Sequence, residues 1–144
     1  MKLLHLFILG ILLSSCATTT QYTKFTDLAS NEEVAQIYII RKSFMATAIP
    51  FIIYQDHRRV GKLGPKSYLA LEIDEPGLVE IASFSPENQD IFNIDVQMGK
   101  TYFLRQRVRP GVYAPRTRLE LMDPYEAEEA LAKLKGPKRV NYTR

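Results

Sequence analysis

The 144-residue chain carries 19 Lys and Arg against 16 Asp and Glu, a formal net charge of +3 at pH 7. So small an excess marks no polyanion-binding protein, and no nucleic-acid partner is expected. One cysteine, two histidines and seven scattered glycines that form neither GxGxxG nor GxxxxGK exclude a disulfide framework, a Cys-ligated or multi-histidine metal site and a phosphate loop, so no cofactor is expected.

Residues 1–15 have the parts of a secretory signal: a positive start at Met1 and Lys2, a largely apolar run from Leu3 to Leu13, and small residues at the exit. The run is well short of the roughly 20 residues a membrane-spanning helix needs. It ends in Leu13-Ser14-Ser15-Cys16, a large aliphatic, two small residues and the sole cysteine. This resembles the bacterial lipoprotein box, in which the thiol takes a diacylglyceryl group and cleavage leaves the cysteine as the first mature residue. The resemblance implies lipidation at Cys16 with palmitate-type chains, each buried methylene contributing about 0.8 kcal/mol of membrane affinity. Ala17 after the cysteine, rather than Asp, implies sorting to the outer membrane, on its periplasmic face.

Residues 16–34 are polar, Thr-rich and aperiodic, and read as a flexible tether between lipid and domain. From Ala35 the signals are those of short strands. "AQIYIIRK" puts Ile37 and Ile39 on one face; "FIIYQD" turns at His57 to Arg59 into "VGKLG". "SYLALEI" sets Leu69, Leu71 and Ile73 opposite Tyr68, Ala70 and Glu72, and "DEPG" is a turn in which Gly77 supplies a positive φ. "LVEIASFS", "DIFNIDV", "TYFLRQRV" and "RTRLELM" follow, separated by "PENQD", "QMGK" and "RPGVYAP". Seven or eight short strands at regular spacing predict an all-β fold, an antiparallel β-sandwich or small barrel.

A single C-terminal helix is predicted over 124–135. Asp123 is its N-cap, Pro124 its first residue and Glu126 a capping-box partner. Ala127, Ala130, Leu131 and Leu134 form the apolar stripe, Glu129 and Lys133 pair outside, and Gly136 and Pro137 end it. The domain is thus expected over 35–136, followed by a basic tail over 137–144.

Several of these stretches resemble one family. "IIYQDHRRVGKL" is similar to the "xVYxDGxxVGxL" hairpin of small bacterial lipoproteins that carry a single domain of unknown function. "LEIDEPGLVEI" resembles the Pro-Gly turn of PEGA-like β-domains, and "MGKTYFLRQRV" resembles the "AGKTYYVR" strand. "LELMD" with the terminal helix completes a pattern running from Gln36 to about Lys135. The resemblance implies the fold but no catalytic residues. One departure is His57, which follows Asp56 where the family has Gly, in a two-residue turn wanting positive φ at both positions.

Once the signal is removed, His57 is the only histidine, and a serine triad would have to use it from an exposed turn, so no enzyme is expected. What remains is local charge. Arg105, Arg107 and Arg109 alternate along one strand, and Arg116 and Arg118 along the next, putting all five on the outer face of a hairpin. Pairing Leu104 with Leu121 sets Arg105 against Glu120, Arg107 against Arg118 and Arg109 against Arg116, two like-charge oppositions. The face reads either as solvated surface or as an anion site built from guanidinium forks. Two functions follow: a non-enzymatic lipid-anchored domain that binds or braces another envelope component, a protein or a glycan, or a β-domain that takes an anionic glycan or lipid headgroup on its arginines.

Overall fold

The structure, a computed structural model, describes residues 16–23 and 33–139. The expected signal peptide over 1–15 lies outside the described residues. Its organising element is β2 (Ala35–Arg41), every residue of which is buried. Alternation sends Ala35, Ile37 and Ile39 into the space between two sheets, while Tyr38 and Ile40 point to the opposite side, under a helix. A strand covered on both faces reads as a continuous apolar run, as "IYII" does.

Around it lie β3 (Phe51–Gln55), β4 (Arg58–Leu63), β5 (Ser67–Ile73), β6 (Gly77–Phe84), β7 (Gln89–Val96), β8 (Thr101–Arg109) and β9 (Arg116–Leu121). With β2 these are eight strands, and the two-residue pieces β1 (Thr20–Gln21) and β10 (Lys138–Arg139) add to them. One sheet has the order β10-β1-β4-β3-β6-β7, the other β5-β2-β8-β9. Among the described residues the fold is a β-sandwich with one helix, α1 (Pro124–Leu131). The sheets are mixed rather than wholly antiparallel: β2 and β8 run parallel, Ile39 beside Leu104, because sheet-one hairpins intervene between them.

The core between the sheets gathers Leu69, Leu71 and Ile73, which the alternation of "SYLALEI" puts on one face, with Ile53, Val60, Leu63, Val79, Ile81, Ile94, Val96, Leu104 and Leu119. A second, smaller cluster joins Tyr38, Ile40, Ala70 and Phe103 to Met122, Ala127 and Ala130, with Leu131 and Leu134 against it. The helix stripe therefore packs where its pattern requires. Asp123 caps α1, accepting from the N–H groups of Tyr125 and Glu126 at 3.0 and 3.2 Å. Glu126 does not complete a capping box; its carboxylate holds Lys42 and Arg105 instead. The helix also ends at Leu131, short of the expected 135. The chain is diverted there to reach β5, where the Lys135 N–H donates to the Lys66 carbonyl at 3.3 Å.

Both open flanks of the sandwich are stitched by a side-chain amide across the sheets. Gln21 donates to the Ala70 carbonyl at 2.8 Å and accepts from its N–H at 3.1 Å. On the other flank Asn88 does the same with Thr117, at 3.0 and 2.8 Å, and Asp90 accepts from the Leu119 N–H at 2.6 Å. Edge strands β5 and β9 thereby have backbone groups satisfied that an unpaired edge would offer to other chains.

Strand directions sort the connections into two ends. The upper end carries residues 42–50, 64–66, 85–88 and 110–115, and the lower end carries 56–57, 74–76 and 97–100. At the lower end Asp56 (φ 46°) and His57 (φ 64°) form the two-residue turn with both positive φ values, so His57 is accommodated where the family has Gly.

The tether and tail expectations change. Within 16–34, Thr20 and Gln21 pair antiparallel with β4 and parallel with β10, and Thr19 and Gln21 are buried. The cause is a pair of glycines in and after β4. A Cβ on Gly61 would lie 2.7 Å from the Thr20 carbonyl oxygen, and one on Gly64 only 2.3 Å from that of Ala17. Their bare backbones make room for the N-terminal segment, and Thr19 locks it by accepting from the Gly64 N–H at 2.8 Å. Lys138 and Arg139, expected in the basic tail, extend the same sheet.

Candidate functional site

Cys16 is exposed, with a free thiol. One residue later the chain is already on the domain, since the Ala17 N–H donates to the Thr47 carbonyl at 2.7 Å. Thr47 belongs to the 42–50 connection, so Cys16 sits at the upper end of the sandwich.

The β8–β9 hairpin has the predicted register: Leu104 pairs with Leu121, Arg105 with Glu120, Arg107 with Arg118 and Arg109 with Arg116. The five arginines share one face but not one fate. Arg105 is half-buried, forms an ion pair with Glu126 and lies 3.7 Å from Glu120. Arg107 reaches diagonally to Glu120, away from Arg118 opposite. Arg116 swings off the face and pairs with Glu87 at 2.9 Å. Arg109 and Arg118 are exposed and make no ion pair among the described residues. Two like-charge oppositions are thus relieved by sending one member of each to a carboxylate. Beside them lies an open depression of ≈ 350 Å³ lined by Lys42, Ser43, Arg105, Gln106, Arg107 and Val108.

Two charged side chains that sequence reasoning passed over organise the upper end. Arg41 is completely buried and faces no carboxylate among the described residues. Its Nη1 donates to the carbonyls of Ile49 and Leu63, both at 3.0 Å, and its Nη2 to those of Met45 and Ala46, at 2.7 and 2.9 Å. The guanidinium carbon stands 4.7 Å from the centroid of the Phe51 ring. Burial lowers its pKa to about 10, so it remains a cation at neutral pH. Its charge is spread over four peptide dipoles, and these hold the 42–50 connection through Ala46, a non-glycine at φ 57°. A signal was present: Arg41 continues the inward series Ala35, Ile37, Ile39, one period beyond the apolar run.

Glu87 does the reverse for the 110–115 connection. Its carboxylate accepts from the N–H groups of Val112, Tyr113 and Ala114, at 2.9, 3.0 and 3.0 Å, and from Arg116. These backbone donors, those of Val112 and Ala114 foremost, lower its pKa to about 2. Gly111 is required for this fit, because a Cβ there would lie 2.0 Å from a Glu87 carboxylate oxygen.

His57 points into solvent with a Glu80 carboxylate oxygen 3.6 Å from its Nδ1, which is no triad geometry. Among the described residues no group of three or more His, Cys, Asp or Glu is arranged to hold a metal ion, and no helix is long and apolar enough to cross a membrane.

A Haemophilus influenzae chain designated an uncharacterized protein is 29% identical over 138 residues, which span 87% of this chain and 77% of that one. No family model matches the chain, and no solved structure matches it.

Proposed function

We propose that this protein is a lipid-anchored lipoprotein of the bacterial cell envelope, held by acylated Cys16 on the periplasmic face of the outer membrane. There it braces or binds another envelope component without catalysing a reaction. The observation that carries the reading is Cys16 itself: it closes a lipoprotein-like box and is exposed immediately before the chain joins the fold. A modifying enzyme needs an accessible thiol on accessible backbone, and this is where it would find both. Similarity to a Haemophilus chain accords with a bacterial lipidation signal. The hairpin and Pro-Gly turn patterns shared with PEGA-like lipoprotein domains belong to the same reading.

Intact-mass measurement of protein extracted from membranes tests it. The expected species lacks residues 1–15 and carries acyl mass on Cys16; a free thiol with Met1 retained overturns it. Cys16→Ser is expected to leave the domain folded and release it from the membrane.

A second reading, an anionic glycan or headgroup site, is favoured by exposed Arg109 and Arg118 and by a depression lined by Lys42, Arg105 and Arg107. Under it, phosphate raises the melting temperature and the Arg107→Gln/Arg118→Gln double variant abolishes the rise. Three of the five arginines already hold carboxylates, so a solvated face is the expected result.

A further inference from the structure

The upper end displays apolar side chains on backbone that two buried or shielded charges hold rigidly. On the 42–50 connection Phe44 is 60% and Met45 52% exposed; on the 110–115 connection Val112 is 75% and Tyr113 94% exposed. Loops that merely join strands do not need a buried arginine donating to four carbonyls, or a carboxylate accepting from three consecutive N–H groups. Strand β8 lies next to β2, so these tips project from neighbouring strands of one sheet, about 5–10 Å apart laterally.

We propose that this end is a bilayer-docking face, seated on an anionic lipid surface with Phe44, Met45, Val112 and Tyr113 in the interfacial layer. The occupant follows from the chain path, because the Ala17 N–H bonds to Thr47, between those tips and Cys16. An acyl chain on Cys16 would therefore enter the membrane beside Phe44 and Met45, with no spacer to lift the domain away. Charge points the same way. The Lys66 ammonium stands over the Phe44 ring at 5.1 Å, an amphipathic pair suited to the headgroup level. The nearby carboxylates Glu87 and Glu126 are occupied by N–H donors, Lys and Arg. The turns of the opposite end carry three carboxylates, Asp56, Asp74 and Glu75, against one lysine, Lys100.

The inference builds on the anchored reading but does not require cleavage, since a retained apolar run over 3–13 would bring the same end to the bilayer. The test places a single tryptophan, of which the chain has none, at Phe44→Trp, Tyr113→Trp or Leu78→Trp. Leu78 is 73% exposed at the lower end. Each full-length variant, expressed and extracted from bacterial membranes, is reconstituted into phosphatidylethanolamine/phosphatidylglycerol vesicles containing brominated lipid. Blue-shifted, quenched emission at positions 44 and 113, with unquenched emission at 78, is expected. Unquenched emission at 44 and 113, or equal quenching at all three, overturns the docking face. Intact mass on the same samples reads the anchor separately: acylated protein without quenching leaves the anchor standing and removes the face. Quenching without acylation does the opposite.

Discussion

Six arginines of this protein are held in two opposite ways. On the β8–β9 hairpin, five share the outer face, Arg105 half-buried and the other four exposed, and three of them find carboxylates: Arg105 with Glu126, Arg107 with Glu120, Arg116 with Glu87. At the upper end Arg41 has no carboxylate among the described residues, yet it is the completely buried one. In water a guanidinium needs little from its neighbours, so exposed pairs contribute little and their loss is tolerated. Inside a core the same group must have its charge answered, and here peptide carbonyls answer it. The visible cluster is therefore the dispensable one, and the isolated residue is structural.

The largest expected effect lies at Arg41. Arg41→Leu leaves up to four carbonyls without a donor, and urea unfolding should report a loss of roughly 2–4 kcal/mol. Arg41→Lys should recover only part of this, because a single ammonium cannot span carbonyls on both sides of a guanidinium fork. A loss below that of any hairpin arginine would break the contrast.

Next comes the helix that covers the arginine-bearing sheet. Leu131→Asp places a charge against the cluster of Tyr38, Ile40 and Phe103 and should cost about 1–3 kcal/mol, read by thermal or urea unfolding. Far-UV circular dichroism should remain β-dominated.

Glu87 sharpens the comparison through pH. Its folded pKa of about 2 lies below the ordinary carboxylate value, so its stabilisation is full above that ordinary value and is lost as pH falls toward 2. Protection of the Val112, Tyr113 and Ala114 amides, measured as exchange relative to the intrinsic rate at each pH, should fall across that window. In Glu87→Gln, exchange should already be fast at pH 7 and the carboxylate-linked step should vanish.

The smallest effect belongs to the hairpin. Arg118→Gln removes a cation opposite Arg107 that has no ion pair among the described residues, and should change stability by less than about 0.5 kcal/mol, on the favourable side. A loss above about 1 kcal/mol would show that the exposed face is structural after all.

Much of this was legible in the residues themselves. Apolar alternation in "SYLALEI" and "DIFNIDV" determined which side chains enter the core, because a strand's period of two leaves no third choice. Leucine placement in β8 and β9 determined which face of the hairpin turns inward, burying Leu104 and Leu119 while Leu121 ends 62% exposed, but a slip of two residues keeps every facing, so the cross-strand partners were settled by the fold. Asp123 and Pro124 determined where α1 begins, through local backbone donors. Local periodicity carries such information because both partners of each interaction lie on one element or in one hairpin.

Only tertiary structure decided the rest. Polar "ATTTQY" has no period of its own; it is held because Gly61 and Gly64, some forty residues away, leave a backbone-wide space and Ala70 takes both ends of the Gln21 amide. Glu126 left its capping box for Lys42 and Arg105, which approach it only once β2, β8 and α1 have packed. The burial of Arg41 was half-written in its inward phase, but the four carbonyls that make it tolerable come from a loop and a strand brought together by folding. Where the partner of a polar group is distant in the chain, sequence names the group and the packed fold alone supplies the partner.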